Sequence, residues 1–215
     1  MSPVRKPQNH SGSFTGKYPS FKMNRMIHFE SGLERDFIYL LDYDKRITHF
    51  EEQPIRIDYK INGKSYSYTP DFHAVVNGEN WLYECKPKRF INSSKNRIKF
   101  EVAERWCKDG EWGFQVITDE LIRAGCRLKN IKFLTGFSRF EIQPELVAAI
   151  YSYLQDNPNA RLAEIENHLT SYERNRIYPA IFHLTYHHRL SMPIESGLIS
   201  PNTTIQLEYK VEENA

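Results

Sequence analysis

The chain has 215 residues, of which 40% are hydrophobic and 26% are charged, and its formal net charge is +2. No apolar run approaches the ~20 residues that a membrane-spanning helix needs, and residues 1–24 lack the apolar core of a secretory signal, so we expect neither an integral membrane protein nor a secreted one. The three cysteines, Cys85, Cys107 and Cys126, have no CxxC spacing. Their pattern excludes a disulfide scaffold and a cysteine-rich zinc site, and it favours the reducing cytoplasm.

The small net charge conceals an asymmetry along the chain. Residues 140–215 carry 5 Lys and Arg against 10 Asp and Glu, a net charge of -5, whereas residues 1–139 have a net charge of +7. This asymmetry predicts two modules with different partners, and the first module has the sign of a nucleic-acid binder.

Residues 1–30 are rich in basic residues, proline and glycine, and Glu30 is the only acid among them. Such a composition predicts a flexible basic arm, or a segment that becomes ordered only on DNA or a partner. A chain terminus without a function is the simpler alternative. A helix is expected to begin after Ser31, because Ser31-x-x-Glu34 has the form of a capping box and apolar residues follow at helical spacing.

Two Asn-Gly pairs separate alternating apolar runs in the first half of the chain. Asn62-Gly63 follows the run at 55–61, and Asn77-Gly78 follows the run at 72–76. Because Asn-Gly between alternating runs is the strongest short hairpin signal, we predict an antiparallel meander of three strands.

The meander is followed by further predicted elements of the same domain. These are a helix over 93–108, a strand over 114–118 and a candidate last strand over 131–134. Together they predict an α/β or α+β sheet domain over residues 31–138.

Residues from 139 onward have a different pattern. Helices are expected at 144–155, 161–169 and 173–189, followed by a β-hairpin between 191 and 209. Three helices and a closing hairpin are typical of a winged helix, so we predict a winged-helix-like domain over residues 139–215. Its third helix would be the DNA-reading helix, but the net charge of -5 favours a contact with protein instead.

The arrangement that most clearly indicates chemistry is Pro70-Asp71 followed by Glu84-Cys85-Lys86. With Asn77-Gly78 as a two-residue turn, the numbers of paired residues sum to 155, so Asp71 is predicted to lie directly opposite Glu84. Lys86 shares the face of Glu84 because side chains alternate along a strand. Two opposed carboxylates are destabilising unless a cation lies between them, and an ordinary cross-strand ion pair with Lys86 is the simpler alternative.

Carboxylate oxygens are the ligands that Mg²⁺ prefers, and a cation at this position could activate a water and stabilise charge on a phosphate. Lys86 could offset the developing negative charge, so the pattern predicts phosphodiester hydrolysis. The basic residues that follow are candidates for DNA binding: Lys88, Arg89, Lys95, Arg97 and Lys99. Gln53 and His73 are candidates for supporting contacts, although His73 is equally well explained as an ordinary strand histidine.

These residues resemble the PD-(D/E)xK motif of restriction-endonuclease-like nucleases, in which an acid on a preceding helix, here Glu34, joins the two strand acids. Wider segments extend the resemblance, at 29–37, 52–54, 68–72 and 83–87. With the helical C-terminal part, they resemble the TnsA-type endonucleases of heteromeric cut-and-paste transposases, some of which occur in CRISPR-associated transposons. The resemblance implies a restriction-endonuclease-like mixed sheet flanked by helices, followed by a winged-helix-like domain. It also implies that Glu34, Asp71 and Glu84 bind metal and that Lys86 assists, whereas periodicity alone favours a capping role for Glu34.

The resemblance further implies a Mg²⁺-dependent DNA endonuclease, with Mn²⁺ as a substitute, that cuts double-stranded DNA at the 5′ ends of a transposon. The implied protein partners are a TnsB-like DDE transposase, which cuts the 3′ ends, and a TnsC-like AAA+ ATPase. Two alternatives remain open: a self-sufficient restriction-type nuclease with the same site, and a non-catalytic DNA-bound adaptor with a winged helix. The presence of Asp71, Glu84 and Lys86 argues against the adaptor.

Overall fold

The computed structural model of the chain describes residues 14–208. The chain divides into two compact units between Ala124 and Gly125. We predicted a boundary at residue 138. The difference arises because the segment after Gly125 is a helix that packs within the second unit, where Phe133 contacts Phe182 edge to face at 4.9 Å between ring centroids.

The first unit contains a mixed sheet and two separate hairpins. Its elements between residues 14 and 124 are, in chain order, β1 (Gly16–Ser20), β2 (Arg25–Phe29), α1 (Gly32–Tyr43), β3 (Ile47–Glu52), β4 (Ile57–Ile61), β5 (Lys64–Tyr68), β6 (Phe72–Val76), β7 (Glu79–Cys85), α2 (Ser94–Asp109), β8 (Gly113–Ile117) and α3 (Asp119–Ile122). The sheet has the order β3-β6-β7-β8, with β7 and β8 parallel and the other pairs antiparallel. The prediction of a mixed α/β sheet flanked by helices is therefore confirmed.

The register of β6 and β7 is the predicted one. Phe72 faces Tyr83 and Val76 faces Glu79, around a turn in which Asn77 and Gly78 both have positive φ, 50° and 86°. Two successive residues with positive φ form a type I′ turn, which matches the twist of an antiparallel hairpin.

The three-stranded meander is wrong in its composition. The strands β4 and β5 do form a hairpin around Asn62-Gly63, but they make a sheet of their own. The second antiparallel neighbour of β6, besides β7, is β3, a strand that the sequence analysis missed. Its sequence Ile47–Glu52 ends in two acids and resembles a surface loop, yet Phe50 and Glu52 are both buried.

The expected flexible arm over residues 1–30 is wrong for its second half, because Gly16–Ser20 and Arg25–Phe29 pair as an antiparallel hairpin. Residues 1–13 lie outside the described part of the chain. Basic residues hide the apolar alternation of Tyr18 and Ile27, which are buried. Arg25 also forms a bidentate ion pair with the buried Glu52, at 2.7 and 3.0 Å. Although burial acts to raise the pKa of Glu52, hydrogen bonds from Arg25 outweigh it and the pKa is lowered.

Helices cover both faces of the mixed sheet. On one face, Phe37 of α1 contacts the rings of Phe72 and Tyr83 at 5.8 and 5.2 Å between centroids. On the other face, Leu82 clusters with Ala103 of α2. Because side chains alternate along a strand, β7 contributes to both cores, and the ends of β6 and β7 lie between the two helices.

The second unit is mainly helical. Its elements between residues 125 and 208 are α4 (Arg127–Thr135), α5 (Pro144–Asp156), β9 (Ala160–Arg161), α6 (Leu162–His168), α7 (Arg174–Tyr186), β10 (Leu190–Ser191) and β11 (Thr204–Leu207). The three helices and the closing hairpin predicted from 144 onward are confirmed, and β9 adds a third strand in the order β10-β11-β9. The strand proposed at 131–134 is wrong, since Ile131 and Leu134 are buried on one face of α4 at helical spacing. No helix between residues 14 and 208 is both long and apolar enough to cross a bilayer.

The β1–β2 hairpin depends on the buried carboxylate of Asp42. We expect Asp42→Ala to lower the free energy of unfolding by about 2–4 kcal/mol, because the substitution leaves several buried hydrogen-bond donors without an acceptor. Asp42 of α1 accepts hydrogen bonds from the Tyr18 hydroxyl at 3.1 Å and from the backbone N–H groups of Phe21 and Lys22 at 3.2 and 3.1 Å, as well as from the Ser20 hydroxyl. Urea unfolding would measure the loss. Asp58→Ala is the matched control, because its side chain is 72% exposed, and it should change stability by less than about 0.5 kcal/mol. Equal effects of the two variants would contradict this account.

Candidate active site

Asp71 occupies the position that the hairpin register gives it. It directly precedes Phe72, the first paired residue of β6, so extending the register by one residue places it opposite Glu84. Its Oδ2 accepts a hydrogen bond of 2.8 Å from the backbone N–H of Cys85. This bond fixes the carboxylate against the end of β7.

Glu84 is 2% exposed, and both of its carboxylate oxygens have partners. The hydroxyl of Tyr68 donates to Oε2 at 2.8 Å, and Lys86 Nζ lies 3.0 Å from Oε1. Lys86 itself is held in place by its backbone N–H, which donates to the carbonyl of Ile117 at 3.0 Å and so extends the parallel pairing of β7 and β8. The strand therefore delivers Glu84 and Lys86 to one point.

Tyr68 is a site residue that the sequence analysis missed. It is buried at the end of β5, and its ring belongs to the apolar cluster around Leu82 and Ala103 while its hydroxyl reaches Glu84. Burial, and then the charge of Glu84, raise the pKa of Tyr68 far above its ordinary value, so the phenol stays a hydrogen-bond donor. The feature of the sequence that could have identified Tyr68 is its position three residues before Asp71, at the end of a run in which apolar and polar residues alternate.

Glu34 is engaged in the capping box that the sequence indicated. Its Oε2 accepts from the Glu30 N–H at 2.7 Å, its Oε1 accepts from the Ser31 hydroxyl at 2.9 Å, and its own N–H donates to Ser31 Oγ at 3.1 Å. Each carboxylate oxygen has a second lone pair, so this cap leaves capacity for a further ligand. Glu34 thus serves as a helix cap and also contributes its charge to the group of acids.

The three carboxylates lie in one unfavourable electrostatic environment. Burial raises the pKa of Asp71 well above its ordinary value, the charges of Glu84 and Glu34 raise it further, and Lys86 offsets only part of this. Burial also raises the pKa of Glu34. For Lys86, burial acts to lower the pKa, but the attraction of Glu84 and Asp71 outweighs it, so the ammonium stays charged.

The donor chemistry of this group fits a hard divalent cation. It offers carboxylate oxygens only, and their mutual repulsion is the kind that a bound cation relieves. Among residues 14–208, no three His, Cys, Asp or Glu side chains form a ready-made cage around one point. The fit therefore rests on the charge and the ligand type of Glu34, Asp71 and Glu84.

The two candidates for supporting contacts occupy different places. The backbone N–H of Gln53 donates to the carbonyl of Asp71 at 2.9 Å, and Gln53 has a φ of 46°, in the left-handed region. Its side-chain Oε1 is buried without a hydrogen-bond partner. His73 instead bonds Asn80 at 2.9 Å and stacks on Trp112 at 4.7 Å between ring centroids, so its partners lie outside the group of acids.

The five basic residues predicted to bind DNA are not equivalent. Lys88 is ion-paired with Glu120, and the Arg89 guanidinium lies 4.7 Å from the ring centroid of Phe90. Lys95 and Arg97 are exposed on α2. Lys99 Nζ lies 5.3 Å from the ring centroid of Tyr68, and burial lowers its pKa although the charge of Glu84 opposes this. Of the five, Lys99 is the one whose contacts adjoin the carboxylates.

The repulsion within the site has a measurable cost in stability. The raised pKa of Asp71 means that its ionised form is disfavoured in the folded state, so stability is lost as pH rises from the unfolded-state value, about 4, through the folded-state pKa. In EDTA, we expect Asp71→Asn to be more stable than the unchanged chain at pH 8, with a smaller gain at pH 5, because burial and the charges of Glu84 and Glu34 disfavour only the ionised carboxylate. Urea unfolding at the two pH values would measure the difference.

The exposed variant Asp58→Asn is the control for this comparison, and it should show no such gain. Added Mg²⁺ should stabilise the unchanged chain more than Asp71→Asn, because binding to the folded state alone raises stability. A gain that is equal at both pH values would contradict the assigned repulsion.

Comparison with known proteins agrees with this geometry. Residues 44–119 match the family model described as TnsA-like endonuclease N terminal, a stretch that includes Gln53, Tyr68, Asp71, Glu84 and Lys86. No curated protein matches the chain. The resemblance to TnsA-type endonucleases is thereby confirmed over residues 44–119, where the chain matches the TnsA-like endonuclease N-terminal domain.

Proposed function

We propose that the chain is a metal-dependent DNA endonuclease that cuts the 5′ ends of a transposon during cut-and-paste transposition. The observation that supports the proposal most strongly is that Asp71, Glu84 and Lys86 lie together at the paired ends of β6 and β7, inside a TnsA-like domain. Burial and repulsion of these carboxylates lower the stability of the fold, and we identify no structural benefit that offsets this loss. It is explained by a function that requires buried acids beside a cation.

Asp71, Glu84 and Glu34 are the residues that would hold the cation, Mg²⁺ or its substitute Mn²⁺. When bound, such a cation lowers the pKa of a water and stabilises negative charge on a phosphate oxygen. Lys86 keeps its proton, and its Nζ, 3.0 Å from Glu84, is placed to orient the attacking water and to offset charge on the phosphate. Tyr68 and the Cys85 N–H fix the directions of the two strand carboxylates. Attack of water on phosphorus breaks the bond to the 3′ oxygen, which leaves a 5′-phosphate and a 3′-hydroxyl.

The DNA substrate is expected to approach across α2. Lys99 is the residue of the basic cluster whose contacts adjoin the carboxylates, and the exposed Lys95 and Arg97 lie on the same helix. Non-specific phosphate contacts of this kind give affinity and orientation but carry no sequence information. A TnsB-like DDE transposase that binds the transposon ends would therefore define where this chain cuts.

For the second unit, we propose a winged helix that contacts protein, with a TnsC-like AAA+ ATPase as the partner. The order helix, strand, two helices and two strands supports this assignment. The helix α7 occupies the place of a DNA-reading helix, but its Arg174 is ion-paired with Glu166. Residues 140–215, which include α5, α6 and α7, have a net charge of -5, which also disfavours DNA at these helices, since specific protein–DNA interfaces are strongly positive. The four basic residues of 125–139 bring the net charge of the whole unit to -1.

Cleavage by variants tests the site. In a reaction reconstituted with the transposase and Mg²⁺, we expect Asp71→Ala and Glu84→Ala to abolish cutting of the 5′ strand, because each removes a metal ligand. Lys86→Ala should slow cutting by at least ~10²-fold, the usual loss for one positioned electrostatic group. Gel analysis of end-labelled strands would measure both effects.

The matched controls for this experiment are exposed residues of the same unit that lie on neither α2 nor the β4–β5 hairpin, Glu79→Ala and Lys17→Ala, which should cut at close to the unchanged rate. Cutting by Asp71→Ala at the unchanged rate would show that the site is wrongly assigned. Efficient cutting of naked duplex by the chain alone would instead support the self-sufficient nuclease.

The products of transposition test the division of labour between strands. In the presence of Glu84→Ala, cutting and joining of the 3′ ends by the partner transposase should persist, because that chemistry belongs to another chain. The donor would stay attached through its uncut 5′ strands, so the product should shift from simple insertion to a cointegrate. Loss of both cuts together would contradict a role restricted to one strand.

A further inference from the structure

The hairpin of β4 and β5 stands apart from the mixed sheet of the first unit. Its strands pair only with each other, from Ile57 opposite Tyr68 at the base to Ile61 opposite Lys64 at the tip. Ile57 and Tyr68 are buried in the cluster shared with α2, whereas Asn62 and Gly63 at the turn are exposed. Five residues per strand make a ribbon of roughly 17 Å, anchored at one end only.

The exposed surface of this ribbon is basic and hydroxyl-rich. Its exposed cations are Arg56, Lys60 and Lys64, and its single acid, Asp58, is paired with Arg56 at 3.0 Å. Lys60 lies directly opposite Ser65. An open depression of about 500 Å³ is lined wholly by residues from Arg56 to Ser67. Positive charge beside hydroxyl groups is the composition that recognises phosphate oxygens.

A rigid aromatic pair lies on the opposite face of the ribbon from Lys60 and Ser65, the face that also carries Lys64 and Tyr68. Tyr59 and Tyr66 face each other across the two strands and stack, with ring centroids 5.7 Å apart and planes at 22°. Tyr66 is 45% exposed. Stacking with Tyr59 holds the exposed ring in one place, so its hydroxyl and its face are presented with little loss of entropy on binding.

The base of the ribbon is part of the active site. Tyr68 donates its hydroxyl to Glu84, and the chain then reaches Asp71 within three residues. Lys99 lies over the ring of the same tyrosine, so the basic side of α2 and the ribbon meet there. A duplex with one phosphate at Glu84 and Asp71 therefore passes alongside the ribbon.

We propose that the β4–β5 ribbon is a duplex-binding element that contacts the DNA backbone beside the cleavage position, with Lys64 and Tyr66 on the face that also carries Tyr68 and with Lys60 on the opposite face. The proposal rests on the proposed function only in taking DNA as the substrate. The contacts are to phosphates and sugars, so they orient the duplex without selecting a sequence. Through Tyr68, the ribbon also couples the position of the duplex to the orientation of Glu84.

Salt-dependent DNA binding tests the proposal in the full chain. Anisotropy of a labelled 30-base-pair duplex would be followed in EDTA, where no cutting is needed, between 50 and 200 mM NaCl. Loss of two phosphate contacts in Lys60→Ala/Lys64→Ala should reduce the slope of log K against log salt by about 1.8, since each contact contributes ~0.9. Affinity at 50 mM salt should fall by about 10-fold or more.

The matched control is Lys17→Ala, an exposed lysine on the β1–β2 hairpin of the same unit, which should leave slope and affinity unchanged. All three substituted lysines are exposed, so thermal melting should be unaltered, which excludes misfolding as the cause. A comparison of Tyr66→Phe with Tyr66→Ala distinguishes the contribution of the hydroxyl to DNA binding from that of the ring. Both should leave the salt slope in place, and the alanine variant should bind more weakly.

An unchanged slope and affinity in Lys60→Ala/Lys64→Ala would overturn the proposal, as would the absence of measurable binding by the unchanged chain at 50 mM salt. Intact DNA binding with weakened association to an AAA+ partner would also overturn it, in favour of a protein surface. The proposed function fails by a different result, namely cutting that is insensitive to Asp71 or Glu84. Binding in EDTA does not depend on those acids, so the two failures are distinguishable.

Discussion

The register of the β6–β7 hairpin is the constraint on which the rest of the first unit depends. The type I′ turn at Asn77-Gly78 pairs Phe72 with Tyr83, and this pairing places Asp71 and Glu84 at the same level. A slip of one residue would turn one of the two acids to the other face of the sheet, because side chains alternate with a period of two. The same slip would turn Phe72 or Tyr83 away from Phe37 of α1, so the core and the site enforce one register.

The surroundings of the acids limit the cost of bringing them together. Asp71 receives the Cys85 N–H, Glu84 receives the Tyr68 hydroxyl and Lys86, and Glu34 receives the donors of its helix cap. For Asp71 and Glu34, these hydrogen bonds favour the charged form of the carboxyl group, while burial and mutual repulsion oppose it. The same bonds fix the direction of each carboxylate, and helices on both faces of the sheet pack against the strands that carry Asp71 and Glu84.

The charges of the first unit are divided between the site and the surfaces beside it. Lys86 and Lys99 lie next to the carboxylates, whereas the exposed cations of α2 and of the β4–β5 ribbon lie farther out. A phosphate chain is attracted by the surrounding cations, and repulsion from the acids is relieved only where a divalent cation is present. The second unit has its own core and a net charge of -1 over residues 125–215, because the four basic residues of 125–139 offset most of the -5 of residues 140–215.

The sequence by itself determined the features that local rules govern. The Asn-Gly turn and the period of two placed Asp71 opposite Glu84 with Lys86 on the same side, the capping box fixed the start of α1, and helical spacing located α5, α6 and α7. Tertiary structure decided the rest. The strands β1 and β3 are short and have no clear apolar alternation, and long-range contacts hold them in place: Tyr18 of β1 bonds Asp42 of α1, and Glu52 of β3 pairs with Arg25 of β2. Ile131 and Leu134 fit either a short strand or a helix until packing in the second unit selected the helix. Tyr68 and Lys99 joined the site only through the packing of β5 against α2, a contact between segments thirty residues apart that no local pattern encodes.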